Sequence, residues 1–385
     1  GAERAFCPAG IRLSRGAREN MTIGIGGAGS KIAAKLDNGA VLVNVSETEL
    51  NKVPGGGRRI LASVHAARGQ FKGSRMNPEI GHDAYQSIRR ELLDMARGDM
   101  VFSSTGGGTG NGITTGILND LTKANDIATA DKTSFGLILP YAKLESSEFV
   151  NNTIEFLTEP LAAAIDSGNT GNIFLFSNKK KFEEKVSEEH YNQQLVESLR
   201  MFLAIPEKND KYRLLDGHID HEDFALFMSK PYFNHFTYFD YDPKKPFGDQ
   251  LDASSNPYLL EPEAAIEALF LLEVPKGGDP TLFYDILQYF ASKDVSPIYS
   301  VVENPDRQKP LVTVSLLYSR KPAELVDDFN RISEGHAQAK VKKSLDQWVE
   351  LEKMEVNLEK EARRAVKQRG EGEEVLATLR RLGKL

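Results

Sequence analysis

Residues 100–123 read Met-Val-Phe-Ser-Ser-Thr-Gly-Gly-Gly-Thr-Gly-Asn-Gly-Ile-Thr-Thr-Gly-Ile-Leu-Asn-Asp-Leu-Thr-Lys. The apolar start, Met100 to Ser104, predicts a buried strand, and Ile113 to Leu121 has the spacing of a helix. Between them, Thr105 to Gly112 packs five glycines and two threonines into one turn. Glycine lets backbone N–H groups approach an anion without a Cβ in the way. Threonine hydroxyls add donors, and the following helix adds its dipole. The turn therefore predicts a polyphosphate cradle. No Gly-Lys-Ser/Thr follows it, so it is not a Walker loop.

A second glycine turn lies upstream. Met21 to Ile25 is a short apolar strand that runs into Gly24-Ile25-Gly26-Gly27-Ala28-Gly29, and Ile32, Ala33, Ala34 and Leu36 follow at helical spacing. Gly24, Gly26 and Gly29 satisfy the dinucleotide pattern GxGxxG. Glu47, after a second strand at Ala40 to Val45, stands where a ribose-binding acid would sit. Alone, this turn points to a nicotinamide enzyme. That reading leaves Thr105 to Gly112 without a role, whereas two turns suit a longer phosphate chain.

Asn77 to Ala96 predicts a helix with Pro78 near its start, and Thr133 to Leu139 and Ile173 to Phe176 predict further strands. The alternation implies α/β architecture, a doubly wound parallel sheet filling residues 21–180. Residues 181–230 form a central linking helix, Phe182 to Ala204, and a second helix over Asp223 to Met228. Tyr232 to Ser254 reads as an irregular surface excursion, rich in aromatics, Pro, Asp and Gly. A second, smaller α+β domain at 231–320 takes strands at Ala268 to Val274, Ile298 to Val302 and Leu311 to Tyr318, with a helix at Leu282 to Ser292. Residues 321–385 predict a C-terminal helix and basic tail, whose stripe of Val341, Leu345, Trp348, Leu351, Met354 and Leu358 packs on its own domain or on a partner. Residues 1–20 read as an arm or an added leader.

Composition narrows the classes. The chain has 385 residues, 40% hydrophobic and 27% charged, ordinary globular values. No apolar run reaches the length of a membrane span. A net charge of −7 argues against broad nucleic-acid binding. One cysteine, Cys7, fits a reducing compartment, and the expected location is cytoplasmic.

Gly106 to Gly112, GGGTGNG, resembles the signature loop GGGTGSG or GGGTGTG of tubulin, FtsZ and the plasmid and phage TubZ proteins. Gly26-Gly27-Ala28-Gly29 and Asn77-Pro78-Glu79-Ile80-Gly81 are similar to FtsZ segments, in the same order, and the resemblance extends over roughly residues 21–320. It implies GTP or GDP as ligand, with Mg2+. The residues implied to bind it are Gly26, Gly27, Ala28, Gly29, Asn44, Thr105, Gly106, Gly107, Gly108, Thr109, Gly110 and Asn111. Gly73, Ser74 and Arg75 match the loop that senses the terminal phosphate. Glu145 matches the ribose-binding acid at a spacing one residue longer, Asn178 the residue beside guanine, and Gln193 or its neighbour Asn192 the guanine reader.

The resemblance further implies a GTPase whose active site is completed by the next subunit. The segment Gly217 to Ala225 resembles the family's acidic loop, with Asp220 and Asp223 as its catalytic acids, Asp220 also as a metal ligand, and His218 in place of an Asn. Two acids three apart also suit capping of a helix start. Partners would be further copies in a head-to-tail homopolymer, and an adaptor protein or DNA-bound complex reading the C-terminal tail. That tail is similar to the TubZ arrangement, which implies DNA segregation. The alternatives are an FtsZ-like division or scaffold filament, and a GTP-binding filament protein with weak hydrolysis.

Overall fold

The computed structural model describes residues 22–64, 77–319, 322–336 and 338. The chain divides into two units after Asn330, and the elements that follow all belong to the first. Its strands are β1 (Thr22–Ile25), β2 (Val41–Asn44), β3 (Arg59–Leu61), β4 (Met100–Ser104), β5 (Thr133–Leu139), β6 (Thr170–Ser177), β7 (Arg213–Gly217), β8 (Phe233–Asp240), β9 (Glu267–Val274), β10 (Ile298–Glu303) and β11 (Leu311–Tyr318). The helices are α1 (Gly26–Leu36), α2 (Glu47–Lys52), α3 (Pro78–Ala96), α4 (Gly108–Lys123), α5 (Ser147–Phe156), α6 (Ala162–Asp166), α7 (Lys179–Glu183), α8 (Glu188–Leu203), α9 (Ile205–Lys211), α10 (His221–Met228), α11 (Phe247–Ala253) and α12 (Phe283–Ser292).

All eleven strands form one sheet in the order β3-β2-β1-β4-β5-β6-β8-β11-β9-β10-β7. The first six are parallel, and β1 pairs with β2 on one side and β4 on the other. The chain therefore reverses its direction of travel across the sheet between β1 and β4. A crevice opens there at the carboxyl ends of the strands, the general ligand position in such sheets. β6 and β8 meet through one register pair, Ile173 with Phe233. Beyond it, residues 258–260 take up the free edge of β6: Ser177 N–H donates to Tyr258 O (2.8 Å) and Leu260 N–H to Leu175 O (3.0 Å). The remaining strands are antiparallel, apart from β9 and β10.

Aromatic side chains fill the core. Phe174, fully buried on β6, has Phe176, Phe202 and Phe236 around it at ring separations of 6.0–6.2 Å. A second cluster around Phe247, Phe270 and Phe290 lies under the antiparallel half.

Three expectations are corrected. Tyr232 to Ser254 is not an irregular excursion, because it forms β8 and α11. β8 buries Asn234, His235 and Thr237 beside its aromatics, which hides strand alternation, and each polar group finds a partner in Asn172, Leu260 O or Ser254 O. Second, α4 starts at Gly108, not Ile113. Glycine is a poor helix former, but α3 and α4 pack too closely for side chains here. A Cβ on Gly112 would lie 2.0 Å from Pro78 O, and one on Gly116 2.2 Å from Tyr85 Cδ1. Third, the central helix begins at Glu188, capped by Ser187, and α7 is separate from it. Between the two, Lys185 takes a left-handed turn (φ 53°).

Candidate functional site

α1 begins directly at the carboxyl end of β1, and α4 three residues beyond the carboxyl end of β4. The starts of α2, α3, α5, α8 and α10 are capped by the side chains of Ser46, Asn77, Ser146, Ser187 and Asp220. Those of α1 and α4 have no side-chain cap. The first amides of a helix have no partner within it, and in α4 the Asn111 N–H is bonded back to Gly107 O (3.3 Å). The two starts also touch. A Cβ on Gly26, which has φ +72°, would lie 3.0 Å from Gly110 N. Two positive helix ends thus meet at the switch point of the sheet, an arrangement suited to an anion. Among the described residues, a Cβ on Gly27 would meet Glu49 Oε2 alone, at 3.8 Å, which leaves room beside its backbone. A Cβ on Gly29 would collide with Phe102 O at 2.1 Å, so that glycine serves packing.

The polar side chains of the second turn face into the protein. Thr105 Oγ1 bonds Thr153 Oγ1 (2.8 Å), and Thr105 N–H donates to Ile138 O (3.1 Å). Asn111 Nδ2 donates to Thr105 O (2.6 Å) and Asn152 O (3.1 Å), while Asn152 Nδ2 donates to Gly106 O (2.9 Å). α5 thereby staples the turn by its carbonyls and leaves donation to a ligand to its amides. Asn44 is fully buried, bonded to Glu49 Oε2 (3.2 Å) and Ser46 N–H (3.1 Å), behind α1. Sequence reasoning missed Glu49, Asn152 and Thr153, lone polar residues with no motif around them. Gly73, Ser74 and Arg75 lie outside the described residues.

Beside the glycine turns, the loops after β5 and β6 bring two expected residues together. Glu145 Oε2 accepts from Tyr141 N–H (2.6 Å) and from Asn178 Nδ2 (3.1 Å). α8 is tied to α1 by ion pairs from Lys31 to Glu188 (3.0 Å) and from Lys35 to Glu189. On its first turns Tyr191 is buried and donates to Ser177 O; burial pushes its phenol far above the usual value. Asn192 is 5% exposed, and its side chain makes no hydrogen bond among the described residues. Gln193 is exposed and donates to Glu197 (2.8 Å) along the outer face. Of the two amides singled out from sequence, Asn192 is the inward one.

Asp220 is the N-cap of α10, its Oδ1 accepting from Asp223 N–H (2.7 Å), and Asp223 Oδ2 accepts in return from Asp220 N–H (3.4 Å). One ligand atom each of His218, Asp220 and Asp223 lies within 4.8 Å of the others, a spacing that suits a divalent cation. The far end of α10 is fixed to the amino-terminal starts of β5 and β6. Ser134 Oγ donates to Met228 O (3.2 Å), and Asn172 Nδ2 to Phe227 O (3.0 Å) and Lys230 O (2.9 Å). Those same strands carry Glu145 and Asn178 beyond their carboxyl ends. The 7-residue β5 spans about 23 Å, and Gly217, three residues before Asp220, pairs with Ser300 near the amino-terminal start of β10, which runs in the direction of β6, so the acids and the glycine turns lie toward opposite ends of the sheet.

A parallel half ordered 3-2-1-4-5-6, two uncapped glycine helices at its switch point, and an acid-capped helix at the far end make up the fold of the tubulin/FtsZ superfamily. Three solved structures share it. The GTPγS-form protofilament of TubZ from Bacillus thuringiensis serovar israelensis has a TM-score of 0.68 at 14% identity, over 84% of this chain and 94% of that one. The GTPγS-bound protofilament of CetZ2 from Haloferax volcanii has 0.62 at 17% identity, over 84% and 100%. An empty FtsZ dimer of M. jannaschii has 0.56 at 16%, over 78% and 89%. At such identities the likeness is one of fold. By sequence, no family model and no curated protein matches the chain.

Proposed function

We propose that this chain is a filament-forming GTPase that hydrolyses GTP between subunits. The observation that carries the reading is the separation just described, a phosphate cradle at one end of the parallel strands and a paired-acid helix start at the other. Stacked head to tail, the acids of one subunit meet the cradle of the next, a heterologous contact that builds an open polymer. That two of the fold's relatives are protofilaments with GTPγS supports it.

The amides at the starts of α1 and α4 hold the phosphates. Glu145 takes the ribose, while Asn178 and Asn192 read guanine through their amides. Asp220 and Asp223 of the neighbouring subunit orient a water in line with the γ-phosphorus. The new O–P bond forms as the bond to the β–γ bridging oxygen breaks, giving GDP and phosphate. Asp220, with His218 and Asp223 close by, would hold Mg2+, which would supply charge neutralisation at the phosphates. In the cell we assign the filament to DNA segregation in the cytoplasm, with an adaptor or DNA-bound complex on the tail, because the sequence pattern of residues 321–385, a helix stripe before a basic end, resembles the TubZ arrangement more than the FtsZ one.

The test is GTP turnover per subunit as protein concentration rises, with light scattering and electron microscopy on the same samples. A threshold above which filaments and turnover appear together is expected. Constant turnover per subunit without filaments would overturn the reading.

A further inference from the structure

α9 (Ile205–Lys211) follows α8 directly, and two adjacent residues on it grip the chain on either side of Asp220. Asn209, 5% exposed, donates from Nδ2 to Ile205 O (3.0 Å). That bond fixes the amide so that Oδ1 faces the acidic loop, where it accepts from Ile219 N–H (3.3 Å) and from the Ser300 hydroxyl of β10. Asp210 Oδ2 meets His221 Nε2 at 3.0 Å. The entry to the loop is fixed as well. Gly217 has φ +58°, and a Cβ there would lie 2.4 Å from Tyr299 O. Ile219 is fully buried. The residues before and after Asp220 are thus anchored to one short helix, and their backbone decides where both carboxylates point.

We propose that Asn209 is a positioning residue for the acid pair, with Asp210 as the second prong of the clamp. This rests on the proposed function, since positioning matters only if the carboxylates meet a reacting phosphate. The side-chain amide supplies the donor for Ile205 O and the acceptor for Ile219 N–H together. Alanine loses both, and aspartate keeps the acceptor for Ile219 N–H. A carboxylate displaced by about 1 Å loses much of its effect on rate while ground-state binding is untouched.

The experiment compares full-length wild type, Asn209→Ala, Asn209→Asp and Asp210→Asn. Each is measured for assembly threshold, GTP affinity below that threshold, turnover per assembled subunit, and hydrogen exchange of the Ile219 amide. Asn209→Ala is expected to lower turnover about tenfold or more, with threshold and affinity within about twofold and faster exchange at Ile219; Asn209→Asp should recover most of both. Asp210→Asn, on a partly exposed pair, should lower turnover about twofold to fivefold. Undiminished turnover in assembled Asn209→Ala would overturn the proposal, as would a threshold that rises in step with the lost turnover. If Asn209→Ala does not fold, unchanged turnover in Asp210→Asn overturns it. Absence of assembly-dependent turnover in wild type defeats the proposed function instead, and the Ile219 exchange still decides whether the clamp exists.

Discussion

Glycines of one motif do different work, and alanine separates them. Gly112 is a packing glycine, since a methyl there meets Pro78 O at 2.0 Å and must push α3 from α4. Gly112→Ala is expected to lose about 1–3 kcal/mol of stability, or fail to fold, by urea denaturation. Gly27→Ala meets only Glu49 Oε2 at 3.8 Å and should unfold at nearly the wild-type temperature. The proposed function gives the Gly27 amide to the phosphates, and a methyl that holds a phosphate off that amide costs one charge-assisted bond, about 1.5–3 kcal/mol, which lowers nucleotide affinity about tenfold or more. Isothermal titration with GTPγS measures it; unchanged affinity would remove Gly27 from the cradle. Asp220 is both cap and acid, and Asn is as good a cap as Asp. Asp220→Asn therefore should keep the thermal midpoint and the assembly threshold while turnover falls about 100-fold or more. A parallel loss of stability would mean that capping is its whole role.

Among elements, the strand that sequence reading lost makes the clearest stability prediction. His235 on β8 is 2% exposed, its Nδ1 faces Leu260 O at 2.9 Å, and its Nε2 accepts from Asn256 N–H (3.2 Å). Burial pushes its pKa below the ordinary value, against the opposing pull of Leu260 O and nearby Glu261. The unfolded chain takes up this proton near pH 6.5 and the folded chain only at lower pH. Its stabilising effect is therefore complete above about pH 6.5 and declines as pH falls through that value toward the folded pKa, by at most about 1.4 kcal/mol per unit. Urea midpoints at pH 7.5 and 5.5 should differ more for wild type than for His235→Gln; equal differences would show that the imidazole does not titrate with unfolding. The same strand explains what could be read in advance. β4, β5 and β9 are apolar runs bounded by turn residues, so their limits lie in the sequence to within a residue or two. β8 is a strand because β11 pairs along its whole length, which no local pattern reveals. The start of α4 was masked for a related reason, as glycine density spells a loop locally but here serves contact between helices. The glycine turns were legible as chemistry, and Glu145 and Asn178 came from resemblance. Asn209, Asn152 and Glu49 were not legible, because their partners are set by tertiary contact alone.

At the scale of the whole molecule, one sheet keeps the glycine turns and the acid pair apart, and the proposed function makes them the two halves of one site shared between subunits. α8, 16 residues and about 24 Å long, starts beside the cradle with Asn192 and leads into α9, which holds the acidic loop. Hydrogen bonds tie the glycine turn to α5 and the end of α10 to β5 and β6. A subunit that carries one half of the proposed site at each end makes a prediction that no single-subunit enzyme shares. Asp220→Asn retains the cradle and lacks the charge, and Gly27→Ala retains the acids with a weakened cradle, so each alone should turn over GTP slowly at a GTP concentration near the wild-type Kd. Mixed one to one, head-to-tail stacking places the intact acids of one variant on the intact cradle of the other at about a quarter of randomly formed junctions. Turnover per subunit in the mixture should therefore rise well above the mean of the two variants, toward about a quarter of wild type, and only above the assembly threshold. Copolymer formation is checked by cosedimentation of one labelled variant with the other. If copolymers form and turnover stays at the mean, the acids and the phosphates act within one chain, and hydrolysis shared between subunits is ruled out.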